Sequence, residues 1–455
     1  MVNKSPCSQC RHGKRLPMTR TPHCWYTDTA DLPELHAPLN GDASADVCVV
    51  GAGITGLAAA LTLAQRGLSV RVLEARTIGF GASGRNGGHL IAGYAGTPMT
   101  GVEGLDPATK GLMMALGTEA LATTQALISA NGIACDLSLT GTLRVAAKPR
   151  HVAALQALGR QWDEAGVSLE YLDRSGLENA LKSRAFAAGV RDPRGGHLHP
   201  LKYTLGLAQA AEQAGVVFHE NTPYLGHSRK KDDLVIVRTP RAALSVRWLI
   251  LAGDAFLWER QQAPGHTTLP VNTFMIATEP LEADKAQSLI PGNEAVRDTA
   301  VAPHHFRRTP DHRLLLGGIV TAATIDPFNM GYPLRAKLDE IFPGLPKDLR
   351  VTHAWGGPVS VTRNRLPHFG RLERNVLFAQ GFSGQGLALA GQAGVMMAGV
   401  VGQTEERFDA VARLPHKTFP ASRHLRVPTT LAAMARLWFE ETKADYEYKR
   451  AQRKG

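Results

Sequence analysis

Apolar positions in this chain fall in short runs cut by glycines, and their spacing alternates between strand and helix periods. The sharpest alternation is at residues 46–74, DVCVVGAGITGLAAALTLAQRGLSVRVLE. The unbroken run Val47, Cys48, Val49, Val50 predicts a strand buried on both faces. Gly51-Ala52-Gly53-Ile54-Thr55-Gly56 follows at once. An alanine- and leucine-rich helix is predicted over 57–65, and Gly67 stops it. A second apolar strand over 70–73 ends in Glu74.

Further along, helices are predicted over 118–130, 151–165 and 201–213, each closed by a glycine or Asn-Gly. His199-Pro200 opens the last of them. Strands are predicted over 141–147, 216–219, 234–239, 247–251 and 314–316. The longest apolar stretch, 386–402, is rich in glycine and carries Gln392. A membrane span needs about 20 apolar residues, so a buried helix is the expectation here. Residues 431–446 read as an amphipathic helix. It is expected to pack across the outside of the unit holding the first strands. Lys443, Lys449, Arg450, Arg453 and Lys454 make membrane-surface binding the alternative.

At 455 residues the chain is long enough for two or three domains. The formal charge of +11 would suit an acidic ligand, a membrane surface or nucleic acid. No aromatic-interleaved basic motif supports the last. Part of the excess lies at the ends, as in Lys4, Arg11, Lys14, Arg15 and Arg20. Cys7, Cys10, Cys24, Cys48 and Cys135 do not form a disulfide framework, which suits a reducing, cytoplasmic setting. Cys7, Cys10, His12 and Cys24 have poor spacing for zinc, and no metal site is expected. The basic N-terminus lacks the apolar core of a signal peptide, and Met18 is an alternative start.

Strand, glycine turn, helix, second strand and acid, in that order, form a βαβ unit for a dinucleotide. Gly51 permits the tight turn, Gly53 the approach of a pyrophosphate, and Gly56 close helix–strand packing. The helix N-terminus favours phosphate. Glu74 accepts from ribose hydroxyls and disfavours a 2′-phosphate. Residues 76–89, RTIGFGASGRNGGH, then supply a second glycine-rich loop with Ser83, Arg85 and Asn86 as donors. A flavin needs such a loop along its ribityl chain and ring; a nicotinamide does not.

With EARTIGFGASGRNGGHL the chain resembles the D-amino acid oxidase and sarcosine oxidase superfamily of FAD enzymes. Its gamma-glutamylputrescine oxidase branch is the most similar. GGHLHPLKY (195–203), FMIATEPL (274–281), RRTPDHRLLLGG (307–318), WGGPVSVTRNRLPHFGR (355–371) and FAQGFSGQGLALAG (378–391) follow in matching order. The resemblance implies an α/β fold. A discontinuous Rossmann-like FAD-binding domain of glutathione reductase type would span 44–133, 195–255 and 345–405. A mostly antiparallel β substrate domain would span 134–194 and 256–344. An N-terminal arm, 1–43, and a tail with a helix, 406–455, complete the chain. FAD contacts are expected from Gly51, Ala52, Gly53, Ile54, Thr55, Gly56, Glu74, Ala75 and Arg76. More come from Ala82, Ser83, Gly84, Arg85, Asn86, Gly87, Gly88 and Gly253. Gly381, Phe382, Ser383, Gly384, Gln385 and Gly386 form a turn feeding the long apolar helix. In the family that helix points its N-terminus at the flavin pyrimidine ring, where reduction leaves negative charge. Relatives often have His at the position of Gln385.

The implied reaction is hydride transfer from an amine C–H to flavin N5. Imine hydrolysis and reoxidation by oxygen or another acceptor follow. It requires no acid–base pair, and no catalytic residue is singled out. His89, Arg307, Trp355 and Val359 are the expected substrate-pocket residues; Arg307 and Arg308, with Asp311 and Arg313, either line that pocket or form a solvated turn. Amino-acid-oxidising relatives carry Trp-x-Gly-x-Arg-Pro-x-Thr-x-Asp-x-x-Pro, whose arginine clamps the substrate carboxylate. Trp355, Gly357, Thr362 and Pro367 match, but Val359 replaces the arginine and Asn364 the aspartate. The implied substrate is an amine without an α-carboxylate, or one bound differently; an N-acylated polyamine fits. Arg363 and Arg365 are the alternative clamps. The competing readings are a D-amino acid or glycine-type oxidase, and a non-catalytic flavin-binding or assembly protein. Cysteine-tethered relatives attach the ring late in the chain, and no cysteine follows Cys135, so non-covalent FAD is expected. His89 is the one histidine close to the loop. Oligomeric state is not legible.

Overall fold

The computed structural model describes residues 23–95, 105–230, 233–259, 265–322, 327–419 and 426–452. Expectations for Cys7, Cys10, His12 and Met18 lie outside the described residues. The strand Ala43–Val50 stands at the centre of an eight-stranded sheet. Val70–Leu73 and then Val217–His219 pair parallel on one side of it. Ala243–Leu251 and then Val376–Gln380 pair parallel on the other. His368–Glu373 closes that edge antiparallel. Parallel strands need long crossovers, so strands distant in sequence become neighbours.

Both faces of this sheet are covered, which explains the unbroken apolar runs. Val47, Val49, Ile250 and Leu377 face the helices Ile54–Gln65, Pro107–Ala130, Pro200–Gln213 and Gly386–Val401. Cys48, Val50, Leu251 and Phe378 face the antiparallel pair Gly226–Arg229 and Val235–Arg238. The first and last of those helices lie very close. A Cβ on Gly394 would stand 2.3 Å from the Thr55 carbonyl oxygen.

The second eight-stranded sheet runs Val351–Thr362, Thr268–Thr278, Leu314–Thr321, His305–Arg308, Ala295–Asp298, Thr142–Val145, Gly189–Asp192, Glu170–Leu172. It is antiparallel except where Ala295–Asp298 meets Thr142–Val145. Period-2 alternation sorts its faces. Leu143, Val296, Phe306, Leu314, Leu316, Phe274 and Ile276 point outward under the helix Pro327–Ile341. The intervening residues point back toward the first sheet.

Three expectations are corrected. The resemblance implies that 345–362 belongs to the first unit, yet Val351–Thr362 is the edge strand of the second sheet. Gly356, Gly357 and Pro358 disguised it, and an edge position is where a strand proline is tolerated. The helix predicted from 118 starts at Pro107, where the Asp106 carboxylate accepts from Thr109 N at 2.8 Å. The C-terminal helix Arg426–Gln452 lies against the second unit instead of the first. Lys148 Nζ reaches Asp445 at 2.6 Å, and Arg150 reaches Glu441 and Asp445 at 2.5 Å each. The arm also contributes structure. Its helical turn Trp25–Asp28 buries Trp25 and Tyr26 against Leu201, Met275, Leu315 and Trp355, where the two sheets meet.

Candidate active site

The glycine turn closes the end of the central strand. Gly51 has φ +105°, and a Cβ there would lie 2.8 Å from Ala252 O and 3.3 Å from Gly253 N. That places Gly253 at the mouth of the turn. Gly56 is pressed on the strand, since a Cβ would meet Gly51 O at 2.0 Å. The helix starts at Ile54, three residues before the predicted point, with Gly53 as its N-cap. A Cβ on Gly53 would touch Ser83 Oγ at 2.7 Å, and Ile54 N donates to that oxygen at 3.0 Å. The second glycine loop thus lies directly over the first.

Glu74 accepts from Ala52 N at 2.9 Å and from Arg76 N at 2.8 Å. Burial raises its pKa, and those N–H groups oppose the shift. Ala75 is exposed beside it. The turn Ala82–Gly84 continues into a loop fixed from within: Asn86 Nδ2 donates to Ala82 O and Ser83 O, and Gly88 N to Asn86 Oδ1.

The second sheet meets this loop along one row of inward residues. Cross-strand register aligns Trp355, Met275, Gly317, His305, Arg297 and Arg144. Trp355 Nε1 donates to Arg85 O at 3.0 Å, and Arg85 Nη1 to Gly356 O at 2.8 Å. The His305 ring packs edge-on against His89, centroids 5.4 Å apart. It also sits 2.6 Å from where Gly87 would carry a Cβ. Arg297 Nη1 donates to Gln385 Oε1 at 3.2 Å. Gln385 caps the helix Gly386–Val401 and donates to Ala92 O at 2.9 Å. The loop before it is stitched to the edge strand: Ser383 N donates to Ser360 O at 3.0 Å, and Val361 bridges Phe382. Gly381 N donates to Asp254 Oδ1 at 2.8 Å. Gly381, Ser383 and Gly384 all have positive φ, which produces the sharp reversal.

The predicted pocket residues separate. His89 packs its ring against His305. Burial first, and then His305 and Arg307, hold its pKa well below the ordinary value, so it is neutral. Both of its ring nitrogens are buried without a partner among the described residues. Trp355 is buried at the junction. Arg307 is not a pocket residue. It is 2% exposed, and its guanidinium donates to Gly87 O, Leu198 O, Arg308 O and Tyr26 Oη. It binds the second sheet to the glycine loop. Val359 sits in an apolar patch with Leu269, Val271 and Val361. Arg363 is exposed over the Phe419 ring at 5.0 Å.

Arg144, Arg297 and His305 escaped the sequence reading. Arg144 and Arg297 each interrupt an apolar strand pattern at an inward position, which was the available signal. Burial first, and then the neighbouring Arg144 charge, press the Arg297 pKa down to about 9. No metal site was expected. His23, Asp28 and His353 do place their ligand atoms within 4.8 Å of one another at the surface. Both imidazoles already share the Asp28 carboxylate, at 2.9 and 3.1 Å.

A family model described as FAD dependent oxidoreductase (DAO) matches residues 46–399. Over 426 residues the chain is 36% identical to gamma-glutamylputrescine oxidoreductase of Escherichia coli (strain K12), covering 92% of this chain and 98% of that one. Over 396 residues it is 33% identical to the probable oxidoreductase OrdL of Haemophilus influenzae, covering 84% and 89%. Among solved structures, glycine oxidase from Geobacillus kaustophilus superposes with TM-score 0.70 at 21% identity, covering 82% of this chain and 99% of that one. L-proline dehydrogenase from P. horikoshii gives 0.67 at 20% identity, covering 81% and 96%. These structures share the fold.

Proposed function

This chain belongs to the DAO family of FAD-dependent oxidoreductases, and from that premise we propose that its donor is a small amine with no carboxylate on the carbon bearing the reacting nitrogen. It is an FAD-dependent enzyme acting on amine or amino acid donors. An N-acylated polyamine of the gamma-glutamylputrescine kind is the class that fits. The observation that carries this is Val359. It occupies the carboxylate-clamp position of amino-acid-oxidising relatives, and its surroundings are Leu269 and Val271. A valine in an apolar patch cannot bind a carboxylate. The identity of 36% with the Escherichia coli enzyme supports the same reading.

The residues fit the cofactor. The turn from Gly51 to Gly56 packs so closely on the Ala252 carbonyl and on Ser83 that no side chain fits at 51, 53 or 56, and both ring nitrogens of His89 are buried without a partner among the described residues. We assign the pyrophosphate to this turn and the helix N-terminus, and the adenosine ribose to Glu74. The loop 82–88 then runs along the ribityl chain, and Gln385 lies by the pyrimidine edge. The first sheet is thus read as a Rossmann-like FAD domain of glutathione reductase type, the second as the substrate domain. Bound FAD supplies the acceptor for a hydride from the amine-bearing carbon, and oxygen or another acceptor takes up the electrons afterwards. The protein's part is to hold a neutral amine over the ring and to stabilise charge at its pyrimidine edge. The helix N-terminus and Arg297 suit the second task.

The test is an anaerobic screen of flavin bleaching. An N-acylated diamine should bleach the enzyme faster than any simple D- or L-amino acid. Faster bleaching by glycine or D-alanine would sink the reading.

A further inference from the structure

A cleft with a cavity volume of about 70 Å³ is lined by Ile91, Tyr94, Trp162, Asp192, Arg144 and Arg297. Its walls are largely apolar, yet its floor carries two guanidinium groups on adjacent strands. The register pairs Arg144 with Arg297 directly. Other buried or half-buried arginines have partners for their donors: Arg194 has Asp192 at 2.6 Å, Arg191 has Glu294 at 3.0 Å, and Arg307 has backbone carbonyls. Arg144 and Arg297 are different. Among the described residues neither has a carboxylate within 4.0 Å, and Arg144 has no hydrogen-bond partner. Arg297 has only Gln385, at 3.2 Å. The acids nearest to them are engaged elsewhere. Asp192 is held at both oxygens by Arg194. Asp298 is held by His304 Nδ1 at 2.9 Å and by two backbone N–H groups.

Two like charges side by side in a half-buried site repel each other and have lost part of their hydration. An anion between them would offset both costs. A carboxylate matches a guanidinium geometrically through paired N–H···O bonds. We propose that Arg144, assisted by Arg297, forms a subsite for a carboxylate carried at the far end of the amine substrate.

Position decides which end of the substrate binds there. Arg297 touches Gln385 at the start of the helix Gly386–Val401, which the proposal above sets by the pyrimidine edge of the flavin. Arg144 lies one strand farther, about 4.8 Å away in the sheet. That extra distance suits a carboxylate at the end of an acyl chain better than one on the amine-bearing carbon. Apolar walls suit the methylenes between. This inference rests on the amine-oxidation reading and narrows it to donors with a remote carboxylate, such as γ-glutamyl or glutaryl amides of a diamine.

The test uses FAD-loaded protein and two amines of equal length, N-glutarylputrescine and its terminal carboxamide. Anaerobic flavin reduction should favour the carboxylate at least about tenfold in rate over dissociation constant, as expected for a charge-assisted pair. In Arg144→Met that ratio should collapse toward about 1, and Arg144→Lys should restore part of it. Glutarate binding, followed calorimetrically, gives a readout without turnover. The wild type should bind it at least about tenfold more tightly than Arg144→Met. Flavin content and far-UV dichroism confirm that the variants fold. Equal use of the two amines by the wild type, or glutarate affinity unchanged in Arg144→Met, would overturn the subsite. Should neither amine reduce the flavin while glutarate affinity still depends on Arg144, the subsite stands and the amine-oxidation reading falls.

Discussion

Asp254 shows how one side chain ties this site to pH. Its Oδ1 accepts from Gly381 N at 2.8 Å, and so holds the loop that leads into the helix Gly386–Val401. Burial pushes its pKa up to about 6, against opposing hydrogen bonds from Gly381, Ala255 and Ser360. In the unfolded chain the value is about 3.9. A carboxyl raised on folding contributes stability that is complete below about pH 4 and is lost as pH rises through about 6. Asp254→Asn keeps an acceptor and removes the charge. At pH 7 it should stabilise the FAD-loaded protein by on the order of 1–3 kcal/mol, and by about nothing at pH 4. Thermal melts at both pH values check this; an equal difference at the two would show that the charge is not the cause. Single residues were legible where backbone geometry dictates chemistry, as at Gly51 and Gly56. They were not where a long side chain chooses its partner. Arg307 lies within a motif that resembles a pocket segment, but backbone carbonyls take its donors. Arg144 and Arg297 are joined only by strand register, which no local pattern reveals.

Among elements, those with a clean period and a proper stop were legible, such as the helix Pro200–Gln213, opened by His199 and closed before Gly215. Long-range pairing carried the rest. The strand Val351–Thr362 contains two glycines and a proline, and only its pairing along Thr268–Thr278 makes it a strand. The C-terminal helix was legible as a helix, but its partner was not. Its apolar positions Trp438 and Phe439 remain exposed, and charge sets its docking. Lys148 and Arg150 have raised pKa values where Asp445 and Glu441 bind them, which outweighs the burial opposing the shift. Exposed pairs contribute about 0.2–1 kcal/mol each. The double variant Glu441→Gln, Asp445→Asn should therefore loosen this helix, and high salt should do the same to the wild type. Hydrogen exchange over 426–452 should rise severalfold in both cases. Exchange unaffected by either would mean that other contacts hold the helix.

At the scale of the molecule, the site exists because two sheets built from interleaved segments meet along one seam. Tyr26 and Trp355 pack edge-on there, centroids 5.3 Å apart, and Arg307 bridges both units. The order of segments was legible from the glycine motifs and the family resemblance, but the seam itself was not. The seam also bears on how the flavin is held. A cysteinyl tether needs a thiolate late in the chain, and the sequence has no cysteine after Cys135. Cys24, Cys48 and Cys135 are buried, and burial raises all three thiols, Cys135 to about 12. None is a nucleophile at neutral pH. His89 is the histidine that follows the glycine loop directly in sequence. Its strand pairs with His197, and its neutral ring is braced edge-on by His305, an arrangement that packs it against the sheet. On the assignment proposed above, two glycine loops, Glu74 and a helix N-terminus would span the whole dinucleotide, so tight binding would need no bond. Acid precipitation should therefore release yellow FAD into the supernatant in full. Colour retained in the washed pellet would establish a covalent link, and its loss in His89→Ala would locate the bond on that imidazole.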